Sequence, residues 1–163
     1  MNKHHPSNDI NQLLRIIDES YERRAWHGTN LRGSLRGLTL DELCWRPAPA
    51  RHNIWEIALH CAYWKYIVRR RLLNEKKGSF PLKGSNWFKR PVQQTARAWK
   101  EDLRLLEETH RLLCEAVKSV RTSGLTRKPR GSTWTNRQTI SGIASHDLYH
   151  AGQIQLLKRL QRN

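Results

Sequence analysis

Long apolar runs and paired cysteines are both missing from this sequence of 163 residues. No stretch approaches the roughly 20 apolar residues of a membrane-spanning helix, and the first segment lacks the apolar core of a signal peptide. The cysteines, Cys44, Cys61 and Cys114, lie far apart and form no C-x-x-C pair, which argues against a disulfide framework and a thiolate zinc site. We therefore expect a cytoplasmic protein with free thiols and one domain, residues 1–163, whose residues 1–8 form a flexible N-terminus.

Acidic residues are also scarce, because 14 Asp and Glu face 30 Lys and Arg and leave a formal net charge of +16. Such a surface attracts anions in general, including nucleic acid and acidic substrates. No zinc-finger spacing and no RNP-type aromatic segment accompanies the charge, so any binding of nucleic acid is expected to be unspecific. A basic surface with no specific partner is the alternative interpretation.

Sustained strand alternation is absent as well, whereas four segments repeat apolar residues at helical spacing. Capping residues and the ends of the apolar stripes predict four helices, from the cap in "PSND" to about Trp26, from Asn53 to the break before Asn74, from Pro91 to Val120, and from Thr135 or Asn136 to the C-terminus. A structured crossover with a short helix in "LTLDEL" joins the first two. Because each helix must bury one stripe, the pattern predicts an all-α four-helix bundle.

Three histidines are expected to point into this bundle. His146 and His150 are four residues apart on one helical face, where their imidazoles can converge on one ion. His60 lies in the otherwise apolar stripe of the second helix and needs a hydrogen-bond partner or a metal. Three inward histidines are typical of an open metal site, although solvated or hydrogen-bonded histidines are the alternative. "HDLYH" departs from the zinc-protease H-E-x-x-H because Asp147 replaces the glutamate.

Four further residues are candidates for supporting roles. Glu56 lies one turn before His60 and either orients an imidazole, acts as a base or makes a solvent-facing cap interaction. Gln153 follows His150 by three residues and either hydrogen-bonds at the rim or packs in the next layer. His27 and His52, near the ends of the first two helices, either line the pocket mouth or are exposed loop residues. No cysteine is expected to share a helix face with the histidines.

The stretches "AWHGTNLRGSLRGL", "RHNIWEIALHCAYWKYIVRRRL" and "SHDLYHAGQI" together resemble the DinB-like (DinB/YfiT) family of four-helix-bundle metalloenzymes. The resemblance implies an up-down-down-up bundle, often dimeric, with a divalent metal ion, commonly nickel or zinc, held by three histidines. Carried over by position, these ligands are His60, His146 and His150. The family name refers to induction by DNA damage, which concerns regulation and not chemistry.

The chemistry implied by the resemblance is thiol-dependent S-transfer or hydrolysis of a small molecule, and the basic composition suits an anionic substrate. The metal would act as a Lewis acid, and a low-molecular-weight thiol would supply the sulfur nucleophile. A homodimer is expected, with no membrane partner. The alternative function is a non-catalytic basic protein that binds nucleic acid or another polyanion in response to stress, and such binding should weaken steeply with added salt.

Overall fold

The computed structural model describes residues 8–129 and 131–162, so nearly all of the predicted flexible N-terminus lies outside the described residues. This part of the chain is all-helical, without a β-strand, which confirms the predicted class. Its six α-helices are α1 (Asn8–Tyr21), α2 (Leu31–Ser34), α3 (Leu40–Cys44), α4 (Ile54–Leu72), α5 (Ala96–Ser119) and α6 (Asn136–Leu160). In neither described range is a helix long and apolar enough to cross a lipid bilayer.

Polar side chains begin three of the helices at the predicted places. The Asn53 side chain accepts a hydrogen bond from the backbone N–H of Glu56 at 2.8 Å and caps α4. Thr135 caps α6 in a capping box, since its side chain accepts from Gln138 N while the Gln138 side chain accepts from Thr135 N. Thr39 begins α3 in the same way. Local capping chemistry therefore fixed these helix starts.

The first helix is shorter than predicted, because α1 ends at Tyr21 and not at Trp26. The backbone N–H of Arg23 returns to the carbonyl of Asp18 at 2.8 Å and closes the last turn. The Arg23 carbonyl then accepts from the side chain of Asn30 at 2.9 Å, so it is not available to a continuing helix. Trp26 is fully exposed in the loop that follows.

The third long helix begins later than predicted, at Ala96 and not at Pro91. The carbonyl of Arg90 accepts from the Asn53 side chain at 2.8 Å, which ties the chain before Pro91 to the start of α4. The Thr95 side chain accepts from Ala98 N at 3.2 Å and caps α5. A contact with a distant helix thus overrides the local preference of proline for a first helical turn.

The four long helices, α1, α4, α5 and α6, bury two apolar clusters. The first cluster includes Tyr21, Ala62, Leu106 and Ile154. The second includes Ile17, Val68, Leu113 and Ala144. Along α4, α5 and α6 the position between the two clusters is polar and buried, occupied by Lys65, His110 and Asp147. A polar layer therefore crosses the protein interior.

Lys65 and Asp147 form an ion pair inside this layer, and their side chains are 0% and 1% exposed. The Lys65 ammonium also lies 3.4 Å from His110 Nδ1 and 4.7 Å from the centre of the Tyr21 ring. Burial raises the pKa of Asp147 to about 6, against the opposing effect of Lys65. A buried ion pair of this kind holds α4 and α6 in one register, because either charge alone would be strongly destabilising.

Candidate metal centre

Three histidine side chains from two helices converge on one point. α4 contributes His60, and α6 contributes His146 and His150, which are four residues apart and lie one turn above each other. His146 Nε2 is 3.1 Å from His60 Nε2 and 3.2 Å from His150 Nε2. One nitrogen of each ring lies within 4.8 Å of the others, a spacing that could hold a metal ion. His60 and His150 are buried, and His146 is partly exposed.

The other ring nitrogen of two of these histidines faces a hydrogen-bond acceptor. His60 Nδ1 is 3.0 Å from the carbonyl oxygen of Asn86. His150 Nδ1 is 2.7 Å from Oε1 of Gln153, whose amide nitrogen donates to the hydroxyl of Tyr149 at 2.9 Å. Both Nδ1 atoms therefore carry hydrogen, and both Nε2 atoms present a lone pair. Fixing the tautomer through an outer acceptor is typical of metal-ligating histidines.

All three imidazoles are neutral near neutral pH. Burial lowers the pKa of His60 to about 4 and that of His146 to about 3, and repulsion between the rings adds to both effects. Burial also lowers the pKa of His150. An uncharged imidazole is the form that binds a metal ion, so these surroundings favour ligand chemistry over acid chemistry.

The short distances between the Nε2 atoms favour a cation among them. His146 carries one ring hydrogen when neutral, so it can donate to His60 or to His150 but not to both. If that hydrogen is on Nε2, one of the two contacts of about 3 Å has no hydrogen between its nitrogens; if it is on Nδ1, the Nε2 lone pair of His146 faces two others, which is repulsive. A divalent cation among the three nitrogens removes this conflict, and three neutral imidazoles suit zinc, nickel or copper. The residues present therefore fit a metal ion.

An aromatic stack closes one side of the cluster. The indole of Trp87 lies between two imidazoles, 3.8 Å from the ring centroid of His60 and 3.6 Å from that of His52. The planes are nearly parallel, at 11° and 4°. The indole of Trp87 thus separates His52 from the cluster, and the His52 side chain is 42% exposed. Trp87 separates the cluster from solvent on this side and fixes the plane of His60.

The segment between α4 and α5 supplies the acceptor for His60. Asn86 adopts a left-handed backbone conformation with φ of 64°, which asparagine tolerates better than most residues. Its carbonyl faces His60, and its side-chain oxygen accepts from the indole nitrogen of Trp64 at 2.9 Å. The segment at Asn86 is therefore anchored to α4 at His60 and at Trp64, which lie one helical turn apart. This arrangement orients the imidazole of His60.

Glu56 has its polar contacts outside the three-histidine cluster. Its carboxylate binds Arg46 through two hydrogen bonds of 2.6 and 2.8 Å and lies 3.0 Å from His52 Nδ1. The backbone N–H of Arg90 also donates to it at 3.2 Å. Burial alone would raise the pKa of Glu56, but these hydrogen bonds outweigh burial and lower it. The Glu56 residue is 3% exposed, so the alternative of a solvent-facing cap interaction is wrong.

The other two candidates lie in different surroundings. Gln153 contacts His150 directly and also lines an apolar cavity with Leu156 and Leu160. His27 is exposed in the loop after α1, and no contact joins it to the three histidines within the described part of the chain.

A second cluster of potential ligands does not fit a metal ion. Asp18 Oδ1, His110 Nε2 and Cys114 Sγ lie 3.6 Å from one another. The ammonium of Lys65, however, donates to His110 Nδ1. The neutral ring therefore carries its hydrogen on Nε2, where a metal ion would need the lone pair.

A third cluster places donor atoms of Cys61, His146 and Asp147 within 4.8 Å of one another. The Cys61 thiol is therefore closer to a proposed ligand than its position beside His60 predicts, because α6 brings His146 to it. Asp147 is already paired with Lys65. Burial raises the pKa of Cys61 well above its ordinary value, which makes this thiol a poor nucleophile.

Sequence reasoning missed Asn86, Trp87 and the Lys65–Asp147 pair. A weak signal exists for Lys65, because a charged residue interrupts the apolar stripe between Cys61 and Val68. Asn86 follows a glycine and a serine in a segment whose length and composition indicate only a loop. Trp87 carries no signal that separates it from the other tryptophans.

Comparison with known proteins agrees with the three motifs quoted above. No curated protein and no solved structure matches this chain. A sequence profile described as the DinB superfamily matches residues 23–154, well over half of the chain. The matched range includes all three histidines of the cluster and both acceptors of their Nδ1 hydrogens. The chain therefore belongs to the DinB superfamily.

Proposed function

We propose that this protein is a divalent-metal-dependent enzyme whose ion is held by His60, His146 and His150. The observation that carries the proposal is the convergence of three neutral Nε2 atoms while the Nδ1 atoms of His60 and His150 donate to acceptors. Zinc and nickel are the proposed ions, because an all-imidazole donor set suits both. His146 is the partly exposed ligand, so solvent and substrate reach the cluster from its side.

The proposed reaction is a thiol-dependent S-transfer or a hydrolysis. A bound divalent ion would supply Lewis-acid chemistry, lowering the pKa of a ligand water or thiol. The chain's residues contribute the rest: Asn86 and Gln153 orient two imidazoles, and Trp87 excludes water from one side. The basic composition suits an anionic substrate.

The sulfur nucleophile is proposed to come from a low-molecular-weight thiol. Burial raises the pKa of all three cysteines, to about 12 for Cys114 and well above the ordinary value for Cys61. Thiols of this kind are protonated near neutral pH and react slowly. The protein itself therefore offers no activated sulfur among Cys44, Cys61 and Cys114.

We propose further that α1, α4, α5 and α6 form a four-helix bundle in up-down-down-up order. The order of the two apolar clusters supports this topology. The chain passes from the second cluster to the first along α1 and α6, as from Ile17 to Tyr21, and in the opposite sense along α4 and α5, as from Ala62 to Val68. Contacts of α4 with α5 and α6, and of α1 with the same two helices, agree with a closed bundle.

The test of the metal proposal is the metal content of tag-free protein, measured by inductively coupled plasma mass spectrometry. The native chain is compared with His60→Ala and His146→Ala, and His27→Ala serves as the matched control because His27 is an exposed histidine. We expect about one ion per chain in the native protein and the control, and loss of the ion in both cluster variants. Circular dichroism verifies that each variant is folded.

Two results would overturn the metal proposal. One is a native protein that takes up neither zinc nor nickel on incubation. The other is a folded His146→Ala variant that keeps the full ion content. With the expected result, the metal-loaded protein is assayed for thiol transfer and hydrolysis. Loss of turnover in His146→Ala but not in His27→Ala would then connect the ion to catalysis.

A further inference from the structure

A large cavity lies on the outer side of α4, beside the proposed metal centre, and none of the three histidines of that centre lines it. Its volume is about 850 Å³, and its walls are the second half of α4 and the segment 77–86. The Tyr66 hydroxyl accepts from the backbone N–H of Ser79 at 3.3 Å, which ties this segment to the helix. The cavity is thus built by a fixed contact between two parts of the chain, and its volume suits a small organic ligand.

The charges around this cavity have one sign. The cationic residues of its wall are Arg70, Arg71, Lys77 and Lys83. No aspartate or glutamate belongs to the lining. Glu75, at the end of α4, pairs with Arg69 at 2.5 Å and offers Arg70 only its backbone carbonyl, at 3.1 Å. Cations gathered without a carboxylate favour an anion of more than one charge.

Arg70 has donor capacity that the described residues do not use. Its Nη1 donates to the carbonyl of Glu75 at 3.1 Å, and within the described ranges its Nη2 makes no hydrogen bond. A guanidinium presents its N–H donors in a fork that matches phosphate geometry, so Nη2 is the donor that Arg70 keeps for an anion in the cavity.

Aromatic rings form another part of the wall. Tyr63, Trp64 and Phe80 line the cavity, and the Phe80 ring lies 5.3 Å from the ring of Tyr63, edge to face. A purely ionic ligand would leave this apolar surface in contact with water. The combination of rings with unpaired cations matches a ligand that joins an aromatic ring to phosphate groups.

We propose that this cavity binds a nucleotide-type ligand, a small molecule with an aromatic ring and at least two phosphate charges. Its phosphates contact Arg70 and Arg71, and its ring contacts Trp64 and Phe80. The inference goes beyond the metal-dependent function and does not rest on it, because none of His60, His146 and His150 lines the cavity. The cavity and the proposed metal centre share a wall, since Trp64 donates to the side chain of Asn86, whose carbonyl faces His60.

The experiment measures binding of ADP by isothermal titration calorimetry in the presence of a metal chelator. Inorganic pyrophosphate, which lacks the ring, and adenosine, which lacks the phosphates, are titrated for comparison. The variants are Arg70→Gln and Arg71→Gln. The matched control is Arg104→Gln, which removes the same charge from an exposed position of α5 outside the cavity. The indole N–H resonance of Trp64, assigned with Trp64→Phe, reports the location of the ligand.

We expect ADP to bind more tightly than either fragment and to shift the Trp64 resonance. Each cavity variant should weaken ADP binding about tenfold, the loss expected for one charge-assisted hydrogen bond, while Arg104→Gln and His146→Ala bind as the native protein does. Absence of ADP binding would overturn the proposal. So would an equal loss in Arg104→Gln, which would indicate general charge attraction, or pyrophosphate binding as tight as that of ADP.

Discussion

At the scale of single residues, the difference between a histidine ligand and a structural histidine lies in the partner of its second nitrogen. His60 and His150 face a carbonyl and an amide oxygen, which accept hydrogen. His110 faces the ammonium of Lys65, which donates it. The same residue type in the same kind of buried site thus offers a lone pair in one place and an N–H in the other. This contrast is why the cluster at His60 fits a metal ion and the cluster at His110 does not.

Gln153 tests this reasoning directly. Gln153→Leu removes the acceptor of the His150 Nδ1 hydrogen while keeping a side chain of similar volume, so we expect metal affinity to fall about 10- to 100-fold. Gln153→Glu keeps an acceptor and should retain most of the affinity. Both are measured by competition with a chromophoric chelator. If packing were the only role of Gln153, the leucine variant would bind metal as well as the native protein.

Asn86 affects the same site through its backbone. Asn86→Gly keeps the left-handed turn and the carbonyl that faces His60, and loses only the hydrogen bond to Trp64. Asn86→Val places a β-branched residue at φ of 64°, where strain shifts the carbonyl. We expect the glycine variant to bind metal within a few-fold of native affinity. The valine variant should bind metal about tenfold more weakly, or worse. Equal affinities of the two folded variants would show that the turn does not orient His60.

At the scale of helices, features coded by neighbouring residues could be predicted and features made by distant contacts could not. Asn53 and Thr135 are caps because their side chains reach N–H groups three residues on. The end of α1 and the absence of helix at Pro91 instead involve Asn30 and Asn53, whose side chains bind carbonyls 7 and 37 residues away, while Thr95 caps α5 locally. No periodicity in the sequence reports such contacts.

The same distinction holds for the site. His146 and His150 share a helix face by spacing alone, and His60 was recognised because it interrupts an apolar stripe. Asn86 and Trp87 reach the cluster from an irregular segment, where side-chain direction does not follow from spacing. The convergence of the three histidines could therefore be predicted from the sequence, whereas the groups that orient them required the three-dimensional structure.

The ion pair between α4 and α6 yields a prediction about stability. Lys65→Met leaves Asp147 buried without its partner, and we expect the free energy of unfolding to fall by about 3–5 kcal/mol. The double variant Lys65→Met with Asp147→Leu removes both charges and should recover most of that loss. Urea unfolding followed by circular dichroism measures both. A double variant less stable than Lys65→Met alone would contradict this account of the polar layer.

At the scale of the whole molecule, the cations behind the net charge of +16 differ in whether a nearby carboxylate neutralises them. Many arginines are engaged with carboxylates, as Arg46 is with Glu56 and Arg90 with Asp102. The cations of the large cavity lack such partners, so they act on an approaching anion with less compensation. Long-range attraction draws anions to the protein, and the cavity adds to that attraction a shaped surface with aromatic rings.

The alternative function, binding of nucleic acid by the basic surface, can be tested separately. A charge field without base-reading elements gives sequence-independent affinity, which we expect to be in the micromolar range or weaker at physiological salt. Fluorescence anisotropy with labelled duplexes of two unrelated sequences should show equal affinities that decline steeply as salt rises, because binding releases counterions. His146→Ala should bind like the native chain, since the ion plays no part. Tight binding to one sequence that persists at high salt would instead make polyanion recognition the function and leave the metal centre a structural role.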